Sequence, residues 1–219
     1  MLFGVWEDHI LPPVSKLTAL AVNYLLVLQN REGFWSGGNA RPPIEYYSFT
    51  GTALAIYSIQ QYATPGLKDR IESAEKRAAQ WLINTYPVNN EEKVWQLLGL
   101  HWINADPELI KQQGQKLLNK QYSDGGWSQL DSLPTDAYAT GQALYALCES
   151  GALKTDDKAY QNGVYFLLRT QYPDGSWRVK TRSFPVVDYV YSGFPFGDDQ
   201  FISAAGTNWA TMALLLSLK

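Results

Sequence analysis

The sequence predicts an all-α fold built from repeated helical hairpins, and two observations support this. The pattern Gln-x-x-x-Gly-x-Trp occurs three times, at residues 29–35, 121–127 and 171–177, and each copy follows a stretch with helical periodicity. A second helical stretch follows each copy and opens with small residues, near positions 50–53, 138–141 and 205–208. The repeating unit is therefore a helix, a fixed turn and a second helix.

The pattern predicts eight helices within a single domain spanning residues 1–219. In chain order they cover about 14–29, 50–62, 68–85, 91–104, 107–121, 136–150, 157–171 and 204–218. Odd-numbered helices carry charged residues on one face, most clearly between Lys68 and Arg77, which is typical of an outer layer. The even-numbered helices, except the one containing Trp95, open with small residues, as closely packed inner helices would.

Each residue of the turn motif has a structural purpose. Glycine lets the chain leave a helix end in a backbone conformation that other residues avoid, while Trp and Gln fasten the turn to its neighbours. A fourth, degenerate copy has Ala78, Trp81 and Leu82 in the preceding helix but Tyr86 in place of Gln, and no Gly-x-Trp follows. The predicted structural residues are Gln29, Gly33, Trp35, Gln121, Gly125, Trp127, Gln171, Gly175 and Trp177.

Composition excludes several classes of function. The chain has 219 residues, 46% of them apolar, and a net charge of −3, so it lacks the basic surface that nucleic acids require. Its longest apolar stretch, residues 17–28, is too short to span a bilayer, and no secretory signal is visible, although a trimmed chain would look the same. We expect a cytoplasmic protein or one peripheral to a membrane.

The three turn copies resemble the QW repeats of squalene-hopene and oxidosqualene cyclases. The segments from Ser192 to Pro195 and from Thr211 to Leu214 are similar to the C-terminal end of the same family. The resemblance implies an α/α toroid, in which inner helices line a cavity and outer helices surround it. Because four hairpins are fewer than a closed toroid contains, we expect a partial, open ring.

The resemblance also implies where the chemistry would occur. These cyclases protonate an alkene or epoxide with an Asp-x-Asp-Asp motif at the start of an inner helix. When that motif is aligned through Thr140, residues 136–139 read Asp-Ala-Tyr-Ala. Asp136 is retained, but Tyr138 occupies the place of the proton donor, and a phenol with a pKa near 10 is too weak an acid to protonate an alkene. The motif is therefore not intact.

Substitute acids would have to come from the same rim of the ring. Asp198, Asp199 and Asp136 are the predicted catalytic residues, with Glu45 nearby, although Asp136 and Asp199 are equally suited to helix capping. The long connection from Tyr172 to Ser203 is rich in aromatic residues, and residues 186–191 alternate as in a short strand. The predicted ligand-binding residues are Tyr138, Tyr145, Trp209, Phe194, Phe196 and Tyr191.

Other functions associated with this fold are less compatible with the sequence. A zinc site of the protein prenyltransferase kind needs Asp, Cys and His, but Cys148, His9 and His101 lie in unrelated places. Cys148 also lacks the neighbours of a complement-type thioester. We therefore predict no metal and no cofactor.

Two functions remain. The first is a terpene-cyclase-like protein that binds, and in an enzymatic version cyclises, an isoprenoid or other apolar ligand. The second is a non-catalytic binding or assembly module that uses its open concave face to contact a partner protein or another copy of itself.

Overall fold

A computed structural model describes residues 16–36, 47–182 and 190–218. Within these ranges the chain forms eight α-helices, no extended strand and two short 3-10 helices, Pro65–Leu67 and Gly197–Asp199. The helices are α1 Lys16–Leu28, α2 Tyr47–Gln61, α3 Lys68–Asn84, α4 Asn90–Trp102, α5 Pro107–Leu118, α6 Ala137–Glu149, α7 Lys158–Thr170 and α8 Gln200–Leu216. The predicted all-α fold is confirmed.

The helices form two layers. The inner helices α2, α4, α6 and α8 pack side by side in that order, and α1, α3, α5 and α7 lie outside them. Almost every residue in the first ten of α4 and of α6 is buried, whereas α3, α5 and α7 bury one stripe each. Four hairpins in sequence therefore build an arc of the α/α toroid class. None of the described helices combines the length and apolar character needed to cross a membrane.

Small residues allow the inner helices to approach closely. A Cβ atom on Gly141 of α6 would lie 2.5 Å from the backbone of Trp209 in α8, and one on Gly99 of α4 would lie 3.3 Å from Ala53 in α2. The runs of small residues at 50–53 and 205–208 lie inside α2 and α8 and not at their first residues. These helices begin at Tyr47 and Gln200, three and four residues earlier than the sequence predicts.

Turns 1, 3 and 4 (residues 29–35, 121–127 and 171–177) share one set of hydrogen bonds. The Gln side chain donates to the carbonyl of the Gly four residues later, at 2.8, 2.9 and 2.9 Å respectively. The Trp indole donates back to the last turn of the outer helix, at the carbonyls of Leu25, Leu117 and Leu167. These bonds satisfy C-terminal carbonyls that a helix otherwise leaves without a partner.

Each of these turns is also attached to its own inner helix. The Trp backbone N–H donates to a threonine hydroxyl at 3.0, 2.9 and 3.0 Å, from Thr52 of α2, Thr140 of α6 and Thr207 of α8. The threonine common to the three inner helices is therefore the acceptor that fixes the turn.

We expect Thr140→Val to destabilise the protein by about 1–3 kcal/mol, because the substitution leaves the buried N–H of Trp127 without an acceptor. Thr207→Val is the matched control at a partly buried turn, where water can replace the hydroxyl, and its cost should be smaller. Urea unfolding followed by circular dichroism measures both. Equal losses would contradict this account of the threonine.

Turn 2 (residues 84–89) has none of the motif residues and is built differently. Gln96 of α4 donates to the carbonyls of Leu82 at 2.6 Å and Thr85 at 3.0 Å. Leu82 lies four residues before Tyr86, so it corresponds to Leu25, Leu117 and Leu167 in the other repeats. Gln96 thus performs the bonding that the missing indole performs elsewhere.

A cavity of about 360 Å³ adjoins turn 2, and residues of turn 2 and of helices α3, α4 and α5 line it. Its lining includes Tyr86, Lys93 and Gln96, together with Gln113 and Lys116 of α5. The degenerate turn and α5 therefore leave a cavity between them.

Candidate functional site

A buried carboxyl group lies near the N-terminal ends of three inner helices. Glu91, in the first turn of α4, is 6% exposed. Its Oε2 accepts hydrogen bonds from the Tyr138 hydroxyl at 2.6 Å and from Gln142 Nε2 at 3.3 Å, both in α6. Its Oε1 accepts from Trp95 Nε1 at 3.1 Å and from the hydroxyl of Thr50 in α2 at 3.4 Å. Four side-chain donors therefore surround one carboxyl.

Glu91 and Tyr138 occupy the same position in neighbouring helices. The N-cap of α4 is Asn89, whose side chain accepts from the backbone N–H three residues later, and Asp136 does the same for α6. Glu91 and Tyr138 each lie two residues after their N-cap. Glu91 therefore has the same position relative to the start of α4 as Tyr138 has relative to the start of α6.

Burial dominates the electrostatics of this carboxyl. Removal from water raises the pKa of Glu91 to about 7, and the hydrogen bonds from Tyr138, Gln142, Trp95 and Thr50 oppose that rise. Burial, followed by the charges of Glu91 and Asp136, raises the pKa of Tyr138 well above its usual value. Near neutral pH, Glu91 therefore carries a proton in a large fraction of molecules, and its conjugate base is met by prearranged donors.

Gln142 completes the surroundings of the carboxyl. The Oε1 of Gln142 is buried and accepts no hydrogen bond from any residue that the structure describes, while its Nε2 donates to Glu91. Rotation of the amide by half a turn would present Oε1 to a protonated Glu91. The same side chain can therefore serve both the ionised and the neutral acid.

A row of aromatic rings continues from the carboxyl along the inner helices. Trp95, which donates to Glu91, lies 5.9 Å from Trp209 of α8 between ring centroids, and Trp209 lies 5.6 Å from Tyr145 of α6. In the other direction Trp95 is 6.4 Å from Trp102, which is 4.8 Å from Tyr57 of α2. The π-faces of such a row can stabilise positive charge close to the acid.

The structure places three of the predicted ligand-binding residues at this site. Tyr138 bonds Glu91, and Trp209 and Tyr145 belong to the aromatic row. Asp136 caps α6 close by, where it accepts from the Ala139 N–H at 2.8 Å and from Gln129 Nε2 at 2.7 Å. Burial raises the pKa of Asp136 to about 6. Asp136 therefore caps α6, as expected, and its raised pKa also allows it to be neutral at mildly acidic pH.

Asp198 and Asp199 lie in a different setting. Both oxygens of Asp199 are engaged, Oδ2 by Arg178 at 2.9 and 3.0 Å and Oδ1 by the Thr181 N–H at 2.8 Å. Asp198 is exposed. Arg178 and the Thr181 N–H thus hold both carboxyl oxygens of Asp199 in place.

The remaining predicted aromatic residues do not join the row. Phe196 packs on Tyr172 of turn 4, with 5.0 Å between ring centroids, Phe194 lies beside Phe196, and Tyr191 is exposed. Their role in ligand binding stays a prediction. Glu45, His9 and residues 183–189, which include most of the predicted strand, lie outside the described residues.

Sequence reasoning missed Glu91, the central group of the site. An acidic residue in the first turn of a helix is common, because it interacts favourably with the helix dipole. The available signal was the N-cap, since Asn89 aligns with Asp136 and places Glu91 level with Tyr138. Over residues 16–36, 47–182 and 190–218, no cluster of three or more His, Cys, Asp or Glu side chains could hold a metal ion.

Comparison with known proteins identifies terpene cyclases as similar. No family model matches the chain. It is 29% identical to lanosterol synthase of Candida albicans over 93 residues, 37% of the chain and 13% of that protein. It is 30% identical to squalene–hopene cyclase of Bradyrhizobium diazoefficiens over 112 residues, 44% of the chain and 17% of that protein. The matched regions thus span a small part of these relatives, and they support the cyclase-like resemblance of the sequence.

A solved structure with a related arrangement is the type II terpene cyclase MstE from Scytonema in its apo form. It shares 16% sequence identity with the chain, with a TM-score of 0.42, and the match covers 91% of this chain and 71% of MstE.

Proposed function

We propose that the chain is a proton-initiated terpene cyclase in which Glu91 delivers the proton. The observation that carries the proposal is the buried carboxyl of Glu91, which is held by four donors and lies beside a row of aromatic rings. The similarity to lanosterol synthase and squalene–hopene cyclase supports an apolar, linear isoprenoid as the substrate class. No part of this chemistry requires a cofactor.

The proposed reaction starts at a terminal alkene or its epoxide. The O–H bond of neutral Glu91 breaks, and the proton moves to the alkene carbon or the epoxide oxygen, which leaves Glu91 as a carboxylate. Tyr138, Trp95 and Thr50 already point donors at that carboxylate, so they meet its developing charge without rearrangement, and Gln142 can donate to it through Nε2. The π-bond of an internal alkene then attacks the carbocation and forms a C–C bond, and the last cation loses a proton from carbon to solvent water. Glu91 regains a proton from solvent before the next turnover.

The aromatic row is proposed to stabilise the cations between these steps. Trp95, Trp209 and Tyr145 come from three different inner helices, and their ring contacts link α4, α8 and α6. Trp209 and Tyr145 are half-buried and keep part of their surface accessible. Cation–π attraction is worth about 0.5–2 kcal/mol per ring, and several rings in sequence would stabilise a moving charge.

The test is to incubate the protein with squalene, its terminal epoxide and shorter linear isoprenoids, and to examine extracts by mass spectrometry for bound lipid and cyclic products. We expect a cyclic product from the wild type and none from Glu91→Gln, because the amide occupies the same space but cannot release a proton. Glu108→Gln, at an exposed first-turn position of α5, is the matched control and should retain activity. Product formation by Glu91→Gln would contradict the role of Glu91.

Tyr138→Phe provides a second, independent readout. The hydrogen bond from Tyr138 lowers the pKa of Glu91, so its removal should raise that pKa and make Glu91 a weaker acid. We expect turnover to decrease about tenfold or more, while the alkaline limb of the pH–rate profile, near pH 7 in the wild type, moves to higher pH. A rate loss without displacement of that limb would indicate a structural role only.

Asp198 and Asp199, the acids predicted from the sequence, compete with Glu91 for the role of proton donor, and the same assay distinguishes them. Loss of activity in Asp198→Asn or Asp199→Asn together with retained activity in Glu91→Gln would return the role to that pair. Bound but unchanged lipid in every variant would favour the alternative, a non-catalytic module that binds an apolar ligand or a partner protein. The exposed apolar surfaces at the two ends of the arc favour an assembly role in addition.

A further inference from the structure

The outer helices show a correspondence between their sequence and the turn that each one covers. Outer helix α3 packs on turn 1, where Gln29 Nε2 donates to the Ala74 carbonyl at 2.8 Å. Outer helix α7 packs on turn 3, where Gln121 Nε2 donates to the Ala159 carbonyl at 2.8 Å. Ala74 and Ala159 have the same position, twelve residues before Tyr86 and Gln171 respectively. Turns 1 and 3 are thus each covered by the outer helix of the following hairpin.

The covering helix meets the turn glycine with its backbone. A Cβ on Gly33 would lie 2.4 Å from the carbonyl oxygen of Arg77, and one on Gly125 would lie 2.4 Å from that of Asn162. Arg77 and Asn162 again correspond, three residues after Ala74 and Ala159. Glycine is therefore required at positions 33 and 125 for two reasons. The covering helix leaves no room for a Cβ atom, and the backbone φ is positive.

Two side chains of the covering helix accompany this contact, a small residue and an aromatic residue three positions later. In α3 they are Ala78 and Trp81, whose ring lies 4.9 Å from that of Phe34 in turn 1. In α7 they are Gly163 and Phe166, whose ring would meet a Cβ on Gly126 of turn 3 at 2.9 Å. In α5, which faces the degenerate turn 2, the same positions hold Gln113 and Lys116.

Turn 4 has the complete motif and no covering helix within the described residues. Gly175 and Gln171 are exposed, whereas Gly33 and Gly125 are buried, and a Cβ on Gly175 would approach only the side chain of Gln171, at 3.9 Å. Leu168 of α7 is 55% exposed, while the corresponding Leu26 of α1, covered by α3, is 9% exposed. The surface that the following hairpin covers at turns 1 and 3 is therefore exposed at turn 4.

Helix α1, at the other end of the arc, has the covering sequence, and residues 16–36, 47–182 and 190–218 contain no turn for it to cover. Ala21 and Tyr24 are the small and aromatic residues at the positions of Ala78 and Trp81, and both are exposed. The other exposed apolar residues on this face are Leu17, Leu20, Val27 and Leu28. A contiguous exposed apolar face of this kind is typical of an interaction surface, so this face is expected to be covered.

We propose that α1 of one copy of this chain docks on turn 4 of another copy, so that the chain associates head to tail. The contact continues the hairpin–hairpin interface that the structure already contains twice. In this arrangement the Leu17 carbonyl accepts from Gln171 Nε2, the Leu20 carbonyl covers Gly175, and the ring of Tyr24 packs over Ser176. The contact is heterologous, because the two copies use different surfaces.

The test uses one variant for each surface. Tyr24→Lys gives α1 the residue that α5 carries at this position, and Gln171→Glu presents a carboxylate to the carbonyl of the incoming helix. Both side chains are exposed, but Gln171→Glu also gives up the bond to the Gly175 carbonyl within turn 4. Far-UV circular dichroism and urea unfolding therefore verify that each variant retains the fold before its association is measured. Gln112→Lys, at an exposed position of α5, adds the same charge as Tyr24→Lys away from both surfaces and serves as the matched control.

Sedimentation velocity up to about 0.5 mM, where even a contact with millimolar Kd becomes visible, measures the association. We expect the wild type and Gln112→Lys to associate, and each surface variant alone to lose affinity at least roughly tenfold. An equimolar mixture of Tyr24→Lys and Gln171→Glu should form a dimer and no larger species, because the mixture contains one intact pair of surfaces. A monomeric wild type, undiminished association of either folded variant, or a mixture that stays monomeric would overturn the proposal.

Discussion

Gly125→Ala should destabilise the protein by about 3–5 kcal/mol, a large part of the stability of a domain of this size. Two costs combine at this position. Gly125 has a φ of +89°, which costs other residues about 1–2 kcal/mol, and the added methyl group would lie 2.4 Å from the Asn162 carbonyl in α7. Relief of that overlap requires α7 to move away from turn 3, which breaks the hydrogen bond from Gln121 to Ala159.

Gly175→Ala is the matched comparison, because turn 4 has the same backbone and no covering helix among the described residues. Its φ is +85°, and the new methyl group would meet only the side chain of Gln171 at 3.9 Å. The expected loss is therefore only the conformational cost of about 1–2 kcal/mol. Urea unfolding of the two variants at low protein concentration separates the terms. Equal losses would show that the contact with the covering helix adds nothing.

Stability should also change with pH in a way that identifies Glu91. In the unfolded chain this group has an ordinary pKa of 4.5, whereas in the folded protein burial raises the pKa to about 7. Between these values the folded state holds a proton that the unfolded state has lost. Stability therefore falls as pH rises from about 4.5 to about 7, by roughly 3 kcal/mol, and changes no further above that range from this group.

Glu91→Gln removes this dependence. Relative to the wild type, the variant should be more stable at pH 8 than at pH 5 by roughly 3 kcal/mol, since glutamine has no charge to bury. Asp136 contributes a similar fall between about pH 4 and 6 in both proteins, so it cancels in the difference. Exposed Glu108→Gln should show no such difference. Parallel stability curves for Glu91→Gln and the wild type would contradict the raised pKa of Glu91.

The fold was predictable because each residue of the turn motif has a local task that its chemistry reveals. Glycine provides a positive φ, the indole reaches back to the preceding helix, and the carboxamide closes the turn. What the motif did not reveal was the continuation of these contacts into the next hairpin, because the acceptors there are backbone carbonyls. Carbonyls of Ala74 and Ala159 leave no trace in side-chain identity, and only the small-plus-aromatic pairs indicate them indirectly.

The site was only half predictable. Alignment through Thr140 directed attention to the start of α6, where the Tyr138 hydroxyl is one of the four donors to the buried acid. The acid itself belongs to α4, which follows the degenerate turn 2 and lacks the small-residue opening of the other inner helices. Burial, which decides the protonation of Glu91, depends on contacts from α2 and α6 that are remote in sequence.

Turn 2 has a consequence for how the chain can tolerate change in its length. In the other three turns, the spacing from Gln to Gly to Trp is fixed by bonds at both ends, so one inserted residue would displace the indole from its carbonyl. In turn 2 the outer helix is held by Gln96 from α4, outside the loop, and a cavity adjoins the loop. Of the four turns described, this one can lengthen without loss of its helix anchor, which makes it the natural place for an inserted loop or a peptide tag.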